Sequence, residues 1–294
     1  MDITLALGGG GAKGIAHLGV LRCLLKAGFQ IRALAGTSAG GMIGSLYAAG
    51  YGPDEILERF LQVDQSNLYH RMPGDGPSIL GVAGINRVLG EMLGERTFDE
   101  LRIPFAVSAV DFKTGREVIL KHGRVLDAVL ATIAVPGIFP PQEWENYTLV
   151  DGGLLNPVPV APARALAPRL PVAAVALNGP QLHPIETFEP PSLLQHVPLL
   201  RQIAQLRLAQ AFSVFLRSLE IGSLAITEMR LQLDQPDVII RPDLEGIGLL
   251  DRVDLADVTD RGERAAELAL SELQASQAWQ RKLKRWWAYG GKAG

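Results

Sequence analysis

A single cysteine, Cys23, in 294 residues excludes an internal disulfide and any thiolate-held metal cluster. No uninterrupted run reaches 18 apolar residues, so no segment reads as a membrane-spanning helix. Charge of one sign is also scarce, because 28 Lys and Arg stand against 31 acidic residues for a formal net charge of −3. Five of the basic residues fall in the last sixteen positions, which contain no acid; residues 1–278 therefore carry 23 basic against 31 acidic groups, or −8. A mildly acidic body does not suggest a nucleic-acid surface. The five histidines are scattered, so no metal-ligand cluster or cofactor is expected. What the chain does have is 48% hydrophobic residues, enough for a large core in one α/β domain or one domain with a helical appendage. Four consecutive glycines at positions 8–11 interrupt the first apolar stretch and make it a poor secretory signal, which sets the expectation of a cytoplasmic protein.

Residues 3–7 (ITLAL) read as a buried parallel strand that stops at the glycines. Ile15, Leu18, Leu21 and Leu25 then recur at helical spacing, with Gly28 placed to end the helix and Cys23 on its apolar stripe. Residues 29–35 (FQIRALA) read as a second buried strand and residues 41–49 as a closely packed helix. A βαβα start implies a parallel sheet with right-handed crossovers.

Between that second strand and helix lies Gly36-Thr37-Ser38-Ala39-Gly40, a G-x-S-x-G sequence. The pattern is that of a nucleophile elbow, a sharp strand-to-helix turn that small neighbours permit and that presents the serine at a helix N-terminus. Ser38 is expected to face solvent there. The earlier Gly9-Gly10-Gly11-Ala12-Lys13-Gly14 also satisfies G-x-G-x-x-G. A dinucleotide loop would want an acid about 20 residues on, yet residues 29–35 hold none, and no Gly-Lys-Ser/Thr makes it a P-loop. What remains is a nest of backbone N–H groups suited to an oxyanion; beside a serine elbow, that is where an oxyanion hole belongs.

Further along, Pro53, Asp54 and Glu55 open a helix expected to reach residue 63, residues 64–82 read as a surface loop or flap, and residues 86–93 as a helix. Thr97 to Glu100 form a capping box. Residues 105–110 and 116–121 read as a hairpin, and 125–135 as a short helix. Residues 147–150 form a strand ending in Asp151-Gly152-Gly153, followed by Asn156-Pro157-Val158-Pro159, expected to be a rigid, exposed turn. Residues 171–177 give another buried strand, 180–191 a loop, 193–233 a long helical cover with a possible lipid-facing role, 237–241 an edge strand and 261–278 a helix.

The motifs G-G-G-A-K-G at 9–14, G-T-S-A-G at 36–40 and D-G-G at 151–153, together with V-P-G-I-F-P-P at 135–141, resemble those of the patatin-like phospholipase family in order and spacing. The resemblance covers roughly residues 1–180 and implies a three-layer α/β/α sandwich with a mostly parallel central sheet. Residues 181–278 would form a helical cover and edge strand on the same domain. It further implies a Ser-Asp dyad with Ser38 as nucleophile, Asp151 as base and Gly9, Gly10 and Gly11 in the oxyanion loop. Lipids or other esters would be the substrates. One chemical tension follows, since a free carboxylate titrates near 3.9 and needs desolvation to become a useful base. A triad esterase would instead place a histidine after the acid, where His183 and His196 stand, and a non-catalytic lipid-binding protein is the third reading. Lys13 is a candidate for an anionic headgroup or a solvated first-turn lysine. Finally, residues 279–294 gather Trp279, Trp286 and Trp287 with five basic residues, a composition suited either to a membrane interface or to a packed helix end.

Overall fold

The computed structural model describes residues 1–64, 68–69, 78–179 and 202–278, with side chains of the last stretch described from residue 210. The elements run β1 (Asp2–Leu7), α1 (Ala16–Lys26), β2 (Gln30–Thr37), α2 (Ala39–Ala49), α3 (Pro53–Leu61), α4 (Ala83–Leu93), β3 (Phe105–Asp111) and β4 (Arg116–Leu120). They continue with α5 (Val125–Thr132), β5 (Gln142–Trp144), β6 (Tyr147–Asp151), α6 (Val160–Leu166), β7 (Val172–Val175), α7 (Gln202–Asp234), β8 (Val238–Ile240) and α8 (Leu255–Ser276).

Eight strands form one sheet in the order β5-β6-β3-β2-β1-β7-β8, with β4 paired to β3 off this path. From β3 through β2, β1 and β7 to β8 the pairings are parallel, while β4, β5 and β6 add antiparallel pairs at the other end. The alternation of side chains along β1 assigns the layers. Ile3, Leu5 and Leu7 enter the large core with α1, α2, α5 and α8, whereas Ala6 joins Ala35, Ala174, Val160, Ala163 and Leu231 on the opposite face under α6 and α7. Helices thus cover both faces, which makes the three-layer α/β/α sandwich.

Local sequence explains most boundaries. Helix α1 ends in a Schellman pair: the Gly28 N–H donates to Leu25 O at 3.0 Å and the Phe29 N–H to Leu24 O at 2.9 Å. Gly28 sits at φ 80, a conformation that glycine alone adopts freely. Cys23 is buried in the core, with burial pushing its thiol up to about 11. Helix α8 starts six residues ahead of the expected 261, because the Asp254 carboxylate accepts from the Ala256 and Asp257 N–H groups and caps it. Helix α6 was not expected at all. Pro157, Pro159 and Pro162 break the helical pattern there, but Pro162 falls in the first turn, where an N–H would have no intrahelical partner anyway.

The expected exposed turn at 156–159 is corrected: Asn156, Pro157, Val158 and Pro159 are all buried against the ends of β1 and β2. The loop read at 180–191 and the basic, tryptophan-rich stretch 279–294 lie outside the described residues. Among the described residues no helix is long and apolar enough to cross a membrane.

Candidate active site

Parallel strands β1 and β2 deliver the glycine loop and the serine side by side. In the sheet register Leu7 stands opposite Gly36, so the first residues after β1 lie beside the elbow at the end of β2. Contact there is close enough that a Cβ built on Gly40 would lie 2.1 Å from the Leu7 carbonyl oxygen, so only glycine permits the approach. Ser38 holds φ 53 and ψ −122, a sparsely populated conformation for a residue with a side chain. Its N–H donates to Thr132 Oγ1 at 2.9 Å, and the Thr132 hydroxyl donates to the Ser108 carbonyl. The expected solvent-facing serine is corrected as well: Ser38 is only 8% exposed and opens onto pockets rather than bulk water.

Asp151 ends β6, whose antiparallel register places it opposite Ala109 of β3. That position brings its carboxylate into the pocket that Ser38 also lines, where the serine hydroxyl favours the anion, and the Gly153 N–H donates to Oδ1 at 2.7 Å. Burial drives the Asp151 pKa up to about 6 although Ser38 and the Gly153 N–H both favour the anion. The desolvation required of a dyad carboxylate is therefore present.

The glycine loop divides its N–H groups. The Gly9 N–H donates to Pro157 O at 2.9 Å and is committed to the fold. Those of Gly10 and Gly11 meet no acceptor among the described residues, whereas Gly9 packs against Ser38 Cβ. His17 braces this loop from below: its Nε2 lies 2.8 Å from Gly8 O, to which it donates as the neutral ring. Complete burial takes the His17 pKa down to about 4. Gly36, Gly40 and Gly152 pack backbone against backbone around the same centre, Gly14 packs against the Ala39 methyl, and Gly153 supplies the N–H described above.

Two pockets meet at Ser38. One is apolar and is lined by Ile15, Met42, Phe60, Tyr69, Leu89 and Phe139 among others. The second carries the charged groups: Lys13, Asp151 and Glu220 line it with Gly10, Asn178 and Ser223, among apolar residues such as Val135, Leu154 and Leu219. Lys13 Nζ lies 3.5 Å from Asn178 Oδ1, and burial depresses its pKa, with Glu220 acting in the opposite direction. Of the histidines, His17 serves the loop and His122 lies at the surface with Nε2 3.2 Å from Glu145 Oε1. His70, His183 and His196 lie outside the described residues. Among the described residues no group of three His, Cys, Asp or Glu side chains is arranged to hold a metal ion.

A serine on a strained elbow, a buried aspartate in the same pocket and two glycine N–H groups without an acceptor among the described residues sit together at the ends of β1, β2 and β6. Residues 5–164 match the family model described as patatin-like phospholipase. The chain belongs to the patatin-like phospholipase family. An uncharacterized NTE family protein of Mycobacterium tuberculosis is 34% identical over 191 residues, covering 64% of this chain and 52% of that protein. A second such protein of the same organism is 30% identical over 280 residues, or 92% of this chain and 46% of its own length. Mouse patatin-like phospholipase domain-containing protein 6 is 28% identical over 178 residues, covering 58% of this chain and 13% of that protein. The chain thus spans about half the length of the mycobacterial relatives it matches.

No motif marks Thr132, and His17 goes unnamed among the scattered histidines of the sequence. For His17 a signal existed, since a histidine on an otherwise apolar helical face three residues beyond a glycine loop needs a partner once buried.

Proposed function

We propose that this patatin-like chain is a serine acyl-ester hydrolase of lipids working through a Ser38–Asp151 dyad. The observation that carries the reading is the buried Asp151 carboxylate lining one pocket with Ser38, beside Gly10 and Gly11 N–H groups that meet no acceptor among the described residues. Ser38 Oγ attacks the ester carbonyl while Asp151 takes its proton, and the Gly10 and Gly11 N–H groups meet the charge that develops on the carbonyl oxygen. Asp151 returns the proton to the leaving alcohol. Water then repeats the sequence on the acyl-enzyme, with Asp151 again as base. The apolar pocket suits the acyl chain, and the second pocket with Lys13 suits the headgroup side.

A screen across fluorogenic esters, lysophospholipids and diacyl phospholipids tests this, with covalent labelling by a fluorophosphonate as the companion measurement. Turnover of none of them and no labelling would remove the reading. Replacing Gly10 by valine isolates the oxyanion loop. A Cβ at Gly10 meets Leu177 Cδ1 at 3.0 Å and Leu177 Cβ at 3.1 Å, so the loop or Leu177 must give by a few tenths of an ångström, and thermal denaturation alongside the kinetics checks that the fold persists. The expected result is a kcat lower by about 10²-fold or more, as for loss of an oxyanion donor; an unchanged kcat would show that the loop binds something else.

For residues 279–294, the tryptophans Trp279, Trp286 and Trp287 and five basic residues support peripheral contact with an anionic membrane. Each Lys or Arg near such a surface is worth about 1 kcal/mol. Truncation after residue 278 should reduce binding to phosphatidylserine vesicles and activity on them, most at low salt, while hydrolysis of a small soluble ester stays unchanged. Equal vesicle binding by the truncated and full-length proteins would discard membrane contact.

A further inference from the structure

We propose that Arg230, on α7 and outside the family match, is a positioning residue that holds the dyad in register through Glu117. The Arg230 Nε–H donates to Leu155 O at 2.9 Å, and Nη2 donates to Glu117 Oε2 at 3.1 Å. Glu117, on β4, spends its other oxygen on the catalytic segments. Oε1 accepts from Ser108 Oγ at 2.8 Å and from Asn156 Nδ2 at 2.7 Å.

From that carboxylate two short routes reach the nucleophile. The Asn156 carbonyl accepts from Thr37 Oγ1 at 2.8 Å, immediately before Ser38. Along the second route, the Ser108 carbonyl accepts from Thr132, whose oxygen receives the Ser38 N–H. Leu155 and Asn156 also close the turn that begins at Asp151, since the Leu155 and Asn156 N–H groups both donate to Gly152 O. One guanidinium therefore fastens the acid-bearing turn directly and, through one carboxylate, the strands on either side of the serine.

The fork geometry matters because Nε and Nη2 reach a carbonyl and a carboxylate at once in fixed directions, which an ammonium group cannot reproduce. With Arg230 lost, Glu117 is left half-buried beside Asp234, whose carbonyl already binds Arg164. Its bonds to Ser108 and Asn156 loosen, and water gains access to the turn. The charged groups facing Asp151 across the second pocket, Lys13 of the loop and Glu220 of α7, stay in place, so a change at Asp151 reports the turn itself.

The test compares Arg230→Lys, Arg230→Gln and Glu117→Gln with Arg22→Gln, which breaks a partly buried ion pair to Glu263 and Asp54 far from the dyad. Measurements are kcat and KM on a soluble ester across the acid limb, normalised to fluorophosphonate-labelled sites. Both Arg230 variants should lose about 10- to 100-fold in kcat with KM held. The limb should move from about pH 6 toward that of a solvated aspartate as the turn takes up water. Glu117→Gln, which keeps the shape of the hub, should move the limb the same way. Arg22→Gln should lower Tm and leave the limb in place. A limb unmoved in the Arg230 and Glu117 variants, or the same normalised loss in Arg22→Gln, would overturn the inference. It rests on the dyad reading. Activity surviving Ser38→Ala would sink that reading, whereas an inactive Ser38→Ala beside unmoved Arg230 and Glu117 limbs would sink this inference alone.

Discussion

Ser38→Ala is expected to lower ester hydrolysis by about 10⁴-fold or more and to abolish fluorophosphonate labelling, as loss of the nucleophile does in other serine hydrolases. The reason is positional as well as chemical. Ser38 is the hydroxyl at which both pockets and the Asp151 carboxylate converge, and its φ of 53 aims it there. Little of the fold depends on that oxygen, because the elbow is fastened through the Ser38 N–H to Thr132 and the Thr37 hydroxyl to Asn156, which alanine at position 38 leaves intact. The variant should therefore purify and melt like the parent. Thermal denaturation and circular dichroism establish the fold; a labelled, active Ser38→Ala protein would place the chemistry elsewhere.

The parts of the site that were legible in sequence are those whose local backbone does the work. A G-x-S-x-G turn or a run of glycines announces itself because only small residues tolerate a Cβ-free approach such as that of Gly40 to Leu7. The parallel sheet was equally readable, since buried strands such as β1, β2 and β7 are near-continuous apolar runs. Long-range polar partnership leaves no such mark. Glu117 occupies a hairpin strand that reads as ordinary alternation, and Arg230 lies 113 residues away on a helix whose exposed Ile221, Met229 and Leu233 blur its amphipathic pattern. Asn156 was misjudged as exposed for a related reason. An Asn-Pro-Val-Pro run has turn composition, but at the end of β6 it passes beneath β1 and β2, where the Asn156 carbonyl and the Pro157 carbonyl accept from Thr37 and Gly9.

In the proposed dyad a carboxylate takes the place of a histidine, and the same burial supports that role. His17 is withdrawn from proton transfer, being neutral and committed to Gly8 O, and Asp151 reaches the basicity of an ordinary imidazole because almost no solvent touches it. The kcat/KM of the protein on a soluble ester should accordingly rise through about pH 6 and level off above it, as the carboxylate ionises.

Asp151→Asn should therefore separate function from stability in opposite directions. Activity is expected to fall on the order of 10⁴-fold, since the amide keeps the shape, can still accept from Gly153, and takes no proton. Stability should move the other way at neutral pH. The folded pKa of Asp151 is about 6 against 3.8 for the free group, so the folded state binds the proton more tightly. That contribution is fully present below about pH 4 and is lost as pH rises through 6. At one pKa unit per about 1.4 kcal/mol, the loss approaches about 3 kcal/mol by pH 8. Asparagine removes this pH dependence and retains the neutral packing. His17 titrates in the reverse sense, with stability lost as pH falls from 6.5 toward 4, but it is common to both proteins and cancels in the comparison. Denaturant midpoints at pH 4, 6 and 8 should show Asp151→Asn gaining on the parent progressively as pH rises. A variant less stable than the parent at pH 8 would mean that the favourable action of Ser38 and the Gly153 N–H on the ionised carboxylate outweighs its desolvation, and that Asp151 is held in place by its charge rather than in spite of it.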